Sequence, residues 1–427
     1  MAKKVILLIL LVLLSLFPLI FWLQEILYAQ AAATIIYLLS RMFALVGFVA
    51  LFLQFLIGAK LKVLERGIGL DKMFKLHRKM GIGGWTLVFL HLTVMLIFEL
   101  GIIGSLSLSI PKLVGIVSFM LLTLTALVAL FYKRFGMRYE TWKYIHWLNY
   151  AIIIAVFIHS VLMGSTLSSY PLLLGYWIAL ISVFGIVMLY KLIHFLLREK
   201  RRYQVVSVTP ETHDINVLEL SGPMIRHDPG QFLFIAPVHN GKRLPSHPFT
   251  ISSAPGEETV KLSIKEVGDF TSKIKDFGSN DFAYIDAPYG AFTLPDDESL
   301  DLVFLAGGIG ITPFMSMLRY LAARESSRPI LLIWGNKTKK DIAFKDELEA
   351  MQEKLAQFKI VHVMSDDEEW KGEKGFIDKK LLDKYIDSYK GKAYFFCGPP
   401  IMMQKLKRLF DEIDITGSRV YFERFAL

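Results

Sequence analysis

His77 and His91 stand fourteen positions apart on one apolar stretch, and His146 and His159 stand thirteen apart on another. On a helix rising 1.5 Å per residue either separation amounts to roughly 20 Å, so two facing pairs would grip two flat metal-centred rings stacked through a membrane. A histidine in hydrocarbon is costly and a neutral imidazole is a good iron ligand, which makes intramembrane histidines functional candidates. Any one of them alone reads equally well as an interhelical hydrogen bond. The repeated spacing is what points to metal. At about 100° per residue, fourteen steps bring a side chain back to within about 40° of its starting face, whereas thirteen leave it about 140° away. The second helix is therefore expected to be distorted between Trp147 and Phe157, so that both its histidines face the first.

The rest of the chain has to position these residues. Its 427 residues suffice for two or three domains, and the 54% apolar content and mean hydropathy of +0.45 arise mostly in the first two hundred. Six apolar runs of spanning length fall near 5–23, 31–59, 80–100, 113–132, 144–163 and 172–197. The net charge of +9 gathers in alternate loops: Lys3 and Lys4; then seven cations from Lys60 to Lys79; then Lys133, Arg134, Arg138 and Lys143; then Arg198, Lys200, Arg201 and Arg202. The opposite loops hold almost none, Lys112 being the exception. By the positive-inside rule both termini are expected in the cytoplasm of a multi-pass protein of the cell membrane. The charge is then topology and lipid contact, with no nucleic-acid partner. Lys3-Lys4, the first apolar run and Ala29-Gln30-Ala31 imitate a cleavable signal peptide, but the run is longer than an ordinary signal core. A single cysteine, Cys397, excludes an intrachain disulfide and fits a reducing compartment.

Arg41 lies inside the second run at about the depth of His91, so a buried cation is expected beside the outer ring, with a haem propionate as partner or snorkelling as the alternative. Residues 139–147 form an aromatic belt leading into the fifth span, and His194 reads as interfacial. Six spans, this histidine pattern and a soluble C-terminal half resemble the NADPH oxidase and ferric reductase family, in its bacterial-type form with a ferredoxin-reductase-like FAD/NADPH module. The resemblance implies two b-type haems, the inner held by His77 and His146 and the outer by His91 and His159. Bis-histidine ligation leaves no open iron position, so each haem is an electron relay.

From Tyr203 the pattern alternates. Short strands at 203–209, 215–220, 232–236, 260–266 and 282–287, separated by Gly, Pro and Asp turns, suggest an antiparallel β-barrel. Buried strands at 302–305, 330–334, 360–364 and 394–397 alternate with helices, which indicates an α/β parallel-sheet domain. The expected organisation is a six-helix transmembrane bundle over 1–198, a barrel over 199–298 and an α/β domain over 299–427.

Arg243-Leu244-Pro245-Ser246-His247-Pro248-Phe249-Thr250 is rich in groups that hydrogen-bond or stack on a ring, though alone it also reads as a loop-strand junction. It resembles the flavin motif of the ferredoxin reductase superfamily in its oxidase form. That resemblance implies FAD, with Phe249 against the isoalloxazine, Thr250 near its reactive nitrogen, His247 and Arg243 towards the ribityl and phosphate, and Pro248 in the same cofactor-binding set. Gly268-Asp269-Phe270-Thr271-Ser272 precedes a short helix whose free N–H groups suit a pyrophosphate, an ordinary N-cap being the alternative. The family places the FAD pyrophosphate there, and Lys265 joins the flavin set.

Leu305-Ala306-Gly307-Gly308-Ile309-Gly310-Ile311-Thr312-Pro313 runs from a buried strand through glycines into a helix, so backbone can approach a pyrophosphate at the positive helix end. It departs from Gly-x-Gly-x-x-Gly but matches the family's nicotinamide-dinucleotide loop. Lys337, Lys339 and Lys340 offer cations where a 2′-phosphate would lie, which favours NADPH with NADH as the alternative. Cys397-Gly398-Pro399 resembles the family's turn beside the nicotinamide. Near the C-terminus Phe425, or Leu427 in its stead, would cover the flavin.

The resemblance implies an NAD(P)H oxidase passing electrons through FAD and two haems to dioxygen, with superoxide as product and Arg41 stabilising the forming anion. Oxidase relatives carry a further histidine one turn beyond the outer ligand; here that residue is Met95. The alternatives are a ferric-chelate reductase and a haem electron-donor subunit for an extracytoplasmic partner. No calcium loop or proline-rich docking tail is found in the sequence, so activity without a regulatory subunit is expected.

Overall fold

The structure is a computed structural model that describes residues 2–62, 64–65, 69–197, 201–413, 415 and 418–422. Phe425 and Leu427 lie outside the described residues, as do Arg66, Arg198 and Lys200. The chain divides into two compact units, Met1–His194 and Phe195–Leu427.

In the first unit α1 (Ala2–Leu27), α2 (Ala32–Gly58), α3 (Leu70–Ile97), α4 (Ile110–Phe131), α5 (Tyr139–Met163) and α7 (Pro171–Leu196) are long and apolar enough to cross a membrane; α6 (Ser165–Ser169) is a single turn. Such helices satisfy their interior backbone groups in lipid within a single segment. Two prolines stand where their missing N–H costs least, Pro111 in the first turn of α4 and Pro171 opening α7. Pro18 lies inside α1. The pairs α2 with α3 and α4 with α5 lie side by side. Bare glycines let the first pair meet closely. A Cβ on Gly47 would stand 3.2 Å from Val88 Cγ2, one on Gly84 would stand 3.0 Å from Leu51 Cδ2, and one on Gly81 would collide with Gln54.

The distortion expected between Trp147 and Phe157 is absent: α5 is unbroken from Tyr139 to Met163. Side-chain reach meets the angular mismatch instead, because His146 faces His77 while His159 crosses to the bare backbone of Gly115 on α4. The irregularity falls at the end of the third span, where Phe98–Ile103 form a π-helical turn.

The second unit begins with an antiparallel sheet of β1 (Arg202–Pro210), β2 (Ile215–Ser221), β3 (Phe232–His239), β4 (Lys242–Arg243), β5 (His247–Thr250), β6 (Thr259–Lys265) and β7 (Phe282–Tyr289). The strand order is β4-β3-β7-β1-β2-β6, with β5 also on β3. The sheet curls until its ends touch, through the Ile251–Leu262 bridge and a 2.8 Å bond from Ser252 N–H to Lys261 O. Alternate side chains, among them Leu218, Leu220, Leu233, Ile235, Leu262 and Ile264, fill the inside.

Six parallel strands follow, in the order β11-β10-β9-β8-β12-β13: β8 (Asp301–Gly307), β9 (Ile330–Asn336), β10 (Phe358–Met364), β11 (Glu373–Lys374), β12 (Lys392–Cys397) and β13 (Arg419–Phe422). Both faces are covered. Phe304, Trp334 and Phe395 pack on one side with α8 (Thr312–Ala322) and α9 (Lys345–Lys354); Val303, Tyr394 and Phe396 pack on the other with α10 (Lys379–Tyr385) and α11 (Pro400–Glu412). Such two-sided burial explains why these strands read as continuous apolar runs. The order reverses between β8 and β12, which is where an open parallel sheet leaves a crevice for a ligand.

Candidate functional site

The rings of His77 and His146 have centroids 6.0 Å apart. Two metal–nitrogen bonds of about 2 Å, plus about 1.1 Å from each nitrogen to its ring centre, require about 6.2 Å. The His77 Nδ1–H donates to the Gln54 carbonyl at 2.9 Å, which fixes the tautomer and leaves Nε2 with its lone pair for a metal. Gly58 makes room for this ring, since a Cβ there would stand 2.8 Å from His77 Cε1. His146 is held differently, stacked on Trp142 at 5.4 Å and 25°, with its Nδ1 3.5 Å from Asn149 Nδ2.

The outer pair repeats the pattern. His91 Nδ1–H is shared between Ser40 O at 3.0 Å and Ser40 Oγ at 2.8 Å, while the Ser40 hydroxyl donates to His91 O. His159 Nδ1–H donates to Pro111 O at 2.7 Å, and a Cβ on Gly115 would stand 2.6 Å from His159 Cε1. Both histidines line a cavity of about 1450 Å³, its open mouth included, together with Arg41, Met95, Glu99 and Lys112. A facing pair, His77 with His146, and a second pair lining one cavity, His91 with His159, with three Nδ1–H groups committed to backbone carbonyls, form a donor set that fits two bis-histidine haems.

Arg41 pairs with Glu25 of α1 at 3.2 Å and 3.3 Å and lies 5.4 Å from the Tyr37 ring centre. Its partner is thus a carboxylate from another helix. Lys112 donates to Glu99 and to the hydroxyl and carbonyl of Ser107, so all three of its N–H groups are committed and it acts as a tie across the loop. Arg41, which uses two nitrogens on Glu25, remains the cation with donors to spare at this cavity.

In the antiparallel lobe Pro248, Phe249 and Thr250 lie on β5 rather than in a loop, paired to β3, and Thr250 is buried. The His247 ring lies 3.9 Å from that of Phe270, and Phe249 stacks on the same ring at 6.1 Å. Arg243 lies over Tyr284 at 4.9 Å. The helix expected after Asp269 is a 3₁₀ stretch, Thr271–Asp276, and the Thr271 hydroxyl already accepts from the N–H groups of Val267 and Gly268. Lys265 pairs with Asp214 at 2.9 Å.

The glycine turn and the Cys397 turn meet at the strand-order reversal. A Cβ on Gly310 would stand 2.2 Å from Cys397 O, and one on Gly307 would stand 2.8 Å from Pro399 Cδ. Cys397 itself is fully buried. Thr312 is buried and donates its hydroxyl to Ile309 O, with Pro313 beside it in the first turn of α8. Trp334, invisible to the motif search, donates its indole N–H to Gly308 O at 3.0 Å and props the turn from beneath. Burial holds the His362 imidazole below its ordinary value, so it stands neutral between Trp334 and Trp370. Gly310→Ala is expected to destabilise the protein by about 1–3 kcal/mol, because the obstructing atoms are backbone and cannot turn aside. Thermal unfolding, and nicotinamide-dinucleotide affinity by fluorescence titration, measure it.

Comparison with known proteins assigns each part. Residues 43–157 match a ferric reductase like transmembrane component, residues 200–302 an FAD-binding domain and residues 304–408 an oxidoreductase NAD-binding domain. The chain has the domain architecture of the NADPH oxidase and ferric reductase family. It is an oxidoreductase with a membrane-embedded electron-transfer module and FAD- and NAD(P)-binding domains. The chain is 26% identical over 248 residues to the flavohemoprotein of Bacillus anthracis, covering 54% of this chain and 61% of that protein. It is 24% identical over 233 residues to NADH-cytochrome b5 reductase 1 of Dictyostelium discoideum, covering 52% and 82%. Among solved structures, a ferredoxin NADP+ reductase from Neisseria gonorrhoeae with bound FAD and NADP aligns with 22% identity and a TM-score of 0.45, over 52% of this chain and 97% of that one.

Of the residues that the sequence singles out in this architecture, the structure brings together His77 with His146, His91 with His159 and Arg41 at the outer cavity, and Gly307, Gly310, Cys397, Gly398 and Pro399 at the crevice. Ser40, Gln54, Gly58, Pro111 and Gly115 escape the sequence reading, as does the pairing of Arg41 with Glu25. The one available signal was the run of glycines in otherwise apolar spans.

Proposed function

We propose that this protein carries electrons from a reduced nicotinamide dinucleotide in the cytoplasm, through FAD and two b-type haems, to dioxygen on the far side of the cell membrane, with superoxide as product. The observation that carries the reading is the 6.0 Å approach of the His77 and His146 rings with the His77 Nδ1–H committed to Gln54 O. When bound, the flavin supplies the step from a two-electron hydride to single electrons and the haems supply one-electron conduction.

The chain's own residues do the positioning. Gln54, Ser40 and Pro111 orient three imidazoles through their Nδ1–H groups, and Gly58 and Gly115 leave the concavities into which two of the rings fit. His77 and His146 would hold the inner haem and His91 and His159 the outer. At the outer cavity Glu99 is neutralised by Lys112 and Arg41 is paired with Glu25, which favours a small uncharged acceptor over a multivalent chelate. The basic loops supply the orientation, with both termini inside.

Purified full-length protein, given flavin, haem and NADH or NADPH in air, is expected to reduce cytochrome c in a reaction suppressed by superoxide dismutase, with no second protein added. Dismutase-insensitive reduction, or turnover only with an anaerobic ferric chelate, would overturn dioxygen as acceptor. Silence until a partner protein is added would overturn the independence.

A further inference from the structure

Ser252 and Ser253 come directly after Ile251, which closes the antiparallel sheet, and both are buried. The N–H and hydroxyl of Ser252 stay within that sheet, donating to Lys261 O at 2.8 Å and 2.9 Å. The carbonyls of the two serines are taken by α8 instead. Ser316 donates its hydroxyl to Ser253 O at 2.8 Å, and Arg319 Nη1–H donates to Ser252 O at 2.5 Å. Residues three apart on a helix share a face, so Ser316 and Arg319 present one edge of α8 to the segment that continues β5 from His247–Thr250.

The guanidinium that reaches Ser252 is itself held. Its Nε and Nη2 donate to the two carboxylate oxygens of Glu347 on α9 at 2.6 Å and 2.7 Å, and its Cζ lies over the Phe344 ring, 5.5 Å from the centre. This two-pronged pair fixes the fork and leaves Nη1 for the carbonyl, a geometry that a lysine ammonium does not reproduce. Phe344 is tied to the antiparallel lobe as well, its N–H donating to Glu211 Oε1 at 2.6 Å. α8 begins where the glycine turn ends, at Thr312 and Pro313. It is therefore the bar that joins the glycine turn to the flavin motif, with Ser252 just beyond Thr250 at one end and Arg319 about two helical turns from Thr312 at the other.

We propose that Arg319 is a positioning residue for hydride transfer: by holding Ser252 O it sets the separation between a flavin on the His247–Thr250 strand and a nicotinamide at the Gly307–Pro313 and Cys397 turns. The inference rests on the proposed reading of these motifs as the flavin and electron-donor sites. In the step concerned the C4–H bond of the reduced nicotinamide breaks, and the hydride carries its electron pair to the flavin N5. The dinucleotide is oxidised as the flavin is reduced. Arg319 acts through Ser252 on the distance between the two rings, and a misplacement of about 1 Å caused by a change remote from the chemistry lowers the rate by up to about a hundredfold.

The test mixes full-length holoprotein anaerobically with NADH and with NADPH in a stopped-flow spectrometer and follows bleaching of the flavin. Arg319→Met is expected to lower the limiting rate about tenfold to a hundredfold, while the half-saturating dinucleotide concentration stays within about threefold. Arg319→Lys, which keeps the charge but cannot serve Glu347 and Ser252 together, should fall between Arg319→Met and the unaltered protein. A readout free of turnover is the far-red charge-transfer absorbance formed when NAD+ or NADP+ is added to photoreduced protein. It should weaken in Arg319→Met while equilibrium dialysis shows the dinucleotide still bound. Glu211→Ala, which removes the Phe344 tie and leaves the flavin motif alone, is the control and should bleach within about twofold of the unaltered protein. An Arg319→Met variant that bleaches at the unaltered rate, or whose loss is accounted for by weaker dinucleotide binding or missing flavin, overturns the inference. So does an equal loss in Glu211→Ala. Bleaching of the unaltered protein by neither nucleotide overturns the donor site itself. Flavin per chain and thermal unfolding report folding; if Arg319→Met does not fold, Arg319→Lys and Glu347→Gln, which loosens the fork without removing it, carry the same comparison.

Discussion

Replacing His77 with leucine is expected to lower bound haem from two per chain to one and to reduce dismutase-sensitive cytochrome c reduction by about a hundredfold, beyond the 10–100-fold that loss of a supporting contact alone brings. Leucine fills the concavity against Gly58 and belongs in a membrane helix, so the bundle keeps its packing. What disappears is one lone pair, opposite a His146 that has no second strong ligand to offer. Pyridine haemochrome per flavin is the measurement. Direct reduction of ferricyanide by the flavin, which bypasses the membrane unit, is expected to stay within about twofold. A variant that still holds two haems and turns over unchanged would remove the basis of the electron path.

A second substitution is expected to do nearly as much without touching a ligand. In Gly115→Ala the added methyl would lie 2.6 Å from Cε1 and 2.7 Å from Nδ1 of His159, so the ring must leave its bond to Pro111. We expect loss of the outer haem and of electron export, with a packing cost of about 1–3 kcal/mol. Gly58→Ala should do the same at the inner site, where the clash is 2.8 Å. Gly175→Ala and Gly185→Ala in α7 are the controls: a methyl there meets nothing within 4 Å, so the change should be neutral or stabilise by about 0.5–1 kcal/mol. Haem content that follows these glycines rather than helix composition separates a shaped site from a greasy one.

The four candidate histidines stood out because a polar group in a spanning segment is rare, and their spacing survives any uncertainty in helix limits. Their supports were not. Gln54 and Pro111 act through carbonyl oxygens, which every residue possesses, so nothing in their side chains announces the role. The angular argument for a broken α5 failed because it fixed the rings to ideal helical directions and ignored how far an imidazole reaches across to a bare neighbour. Arg41 lines the same cavity as His91, but its carboxylate partner stands sixteen residues earlier on another helix, beyond any local pattern.

In the C-terminal unit the long apolar strands and the glycine turn were readable, whereas His247–Thr250 is four residues with a proline inside and reads as a loop until β3 pairs with it. Likewise Arg419–Phe422 becomes a strand only because β12 offers a free edge. The segment after Asn336 shows the limit of reading along a chain: the carboxylate that accepts the Lys339 backbone N–H comes from Asp367 in a later loop, and only folding brings the two together.

Gly47, Gly81 and Gly84 have one further consequence. Where α2 and α3 touch through naked backbone, sliding one helix along the other by a single position would drive a side chain into each gap at once, and the seam therefore works as a vernier. Two helices with smooth leucine faces could drift; these cannot, and the heights at which the imidazoles stand in the bilayer are consequently set by the places where the chain carries no side chain at all.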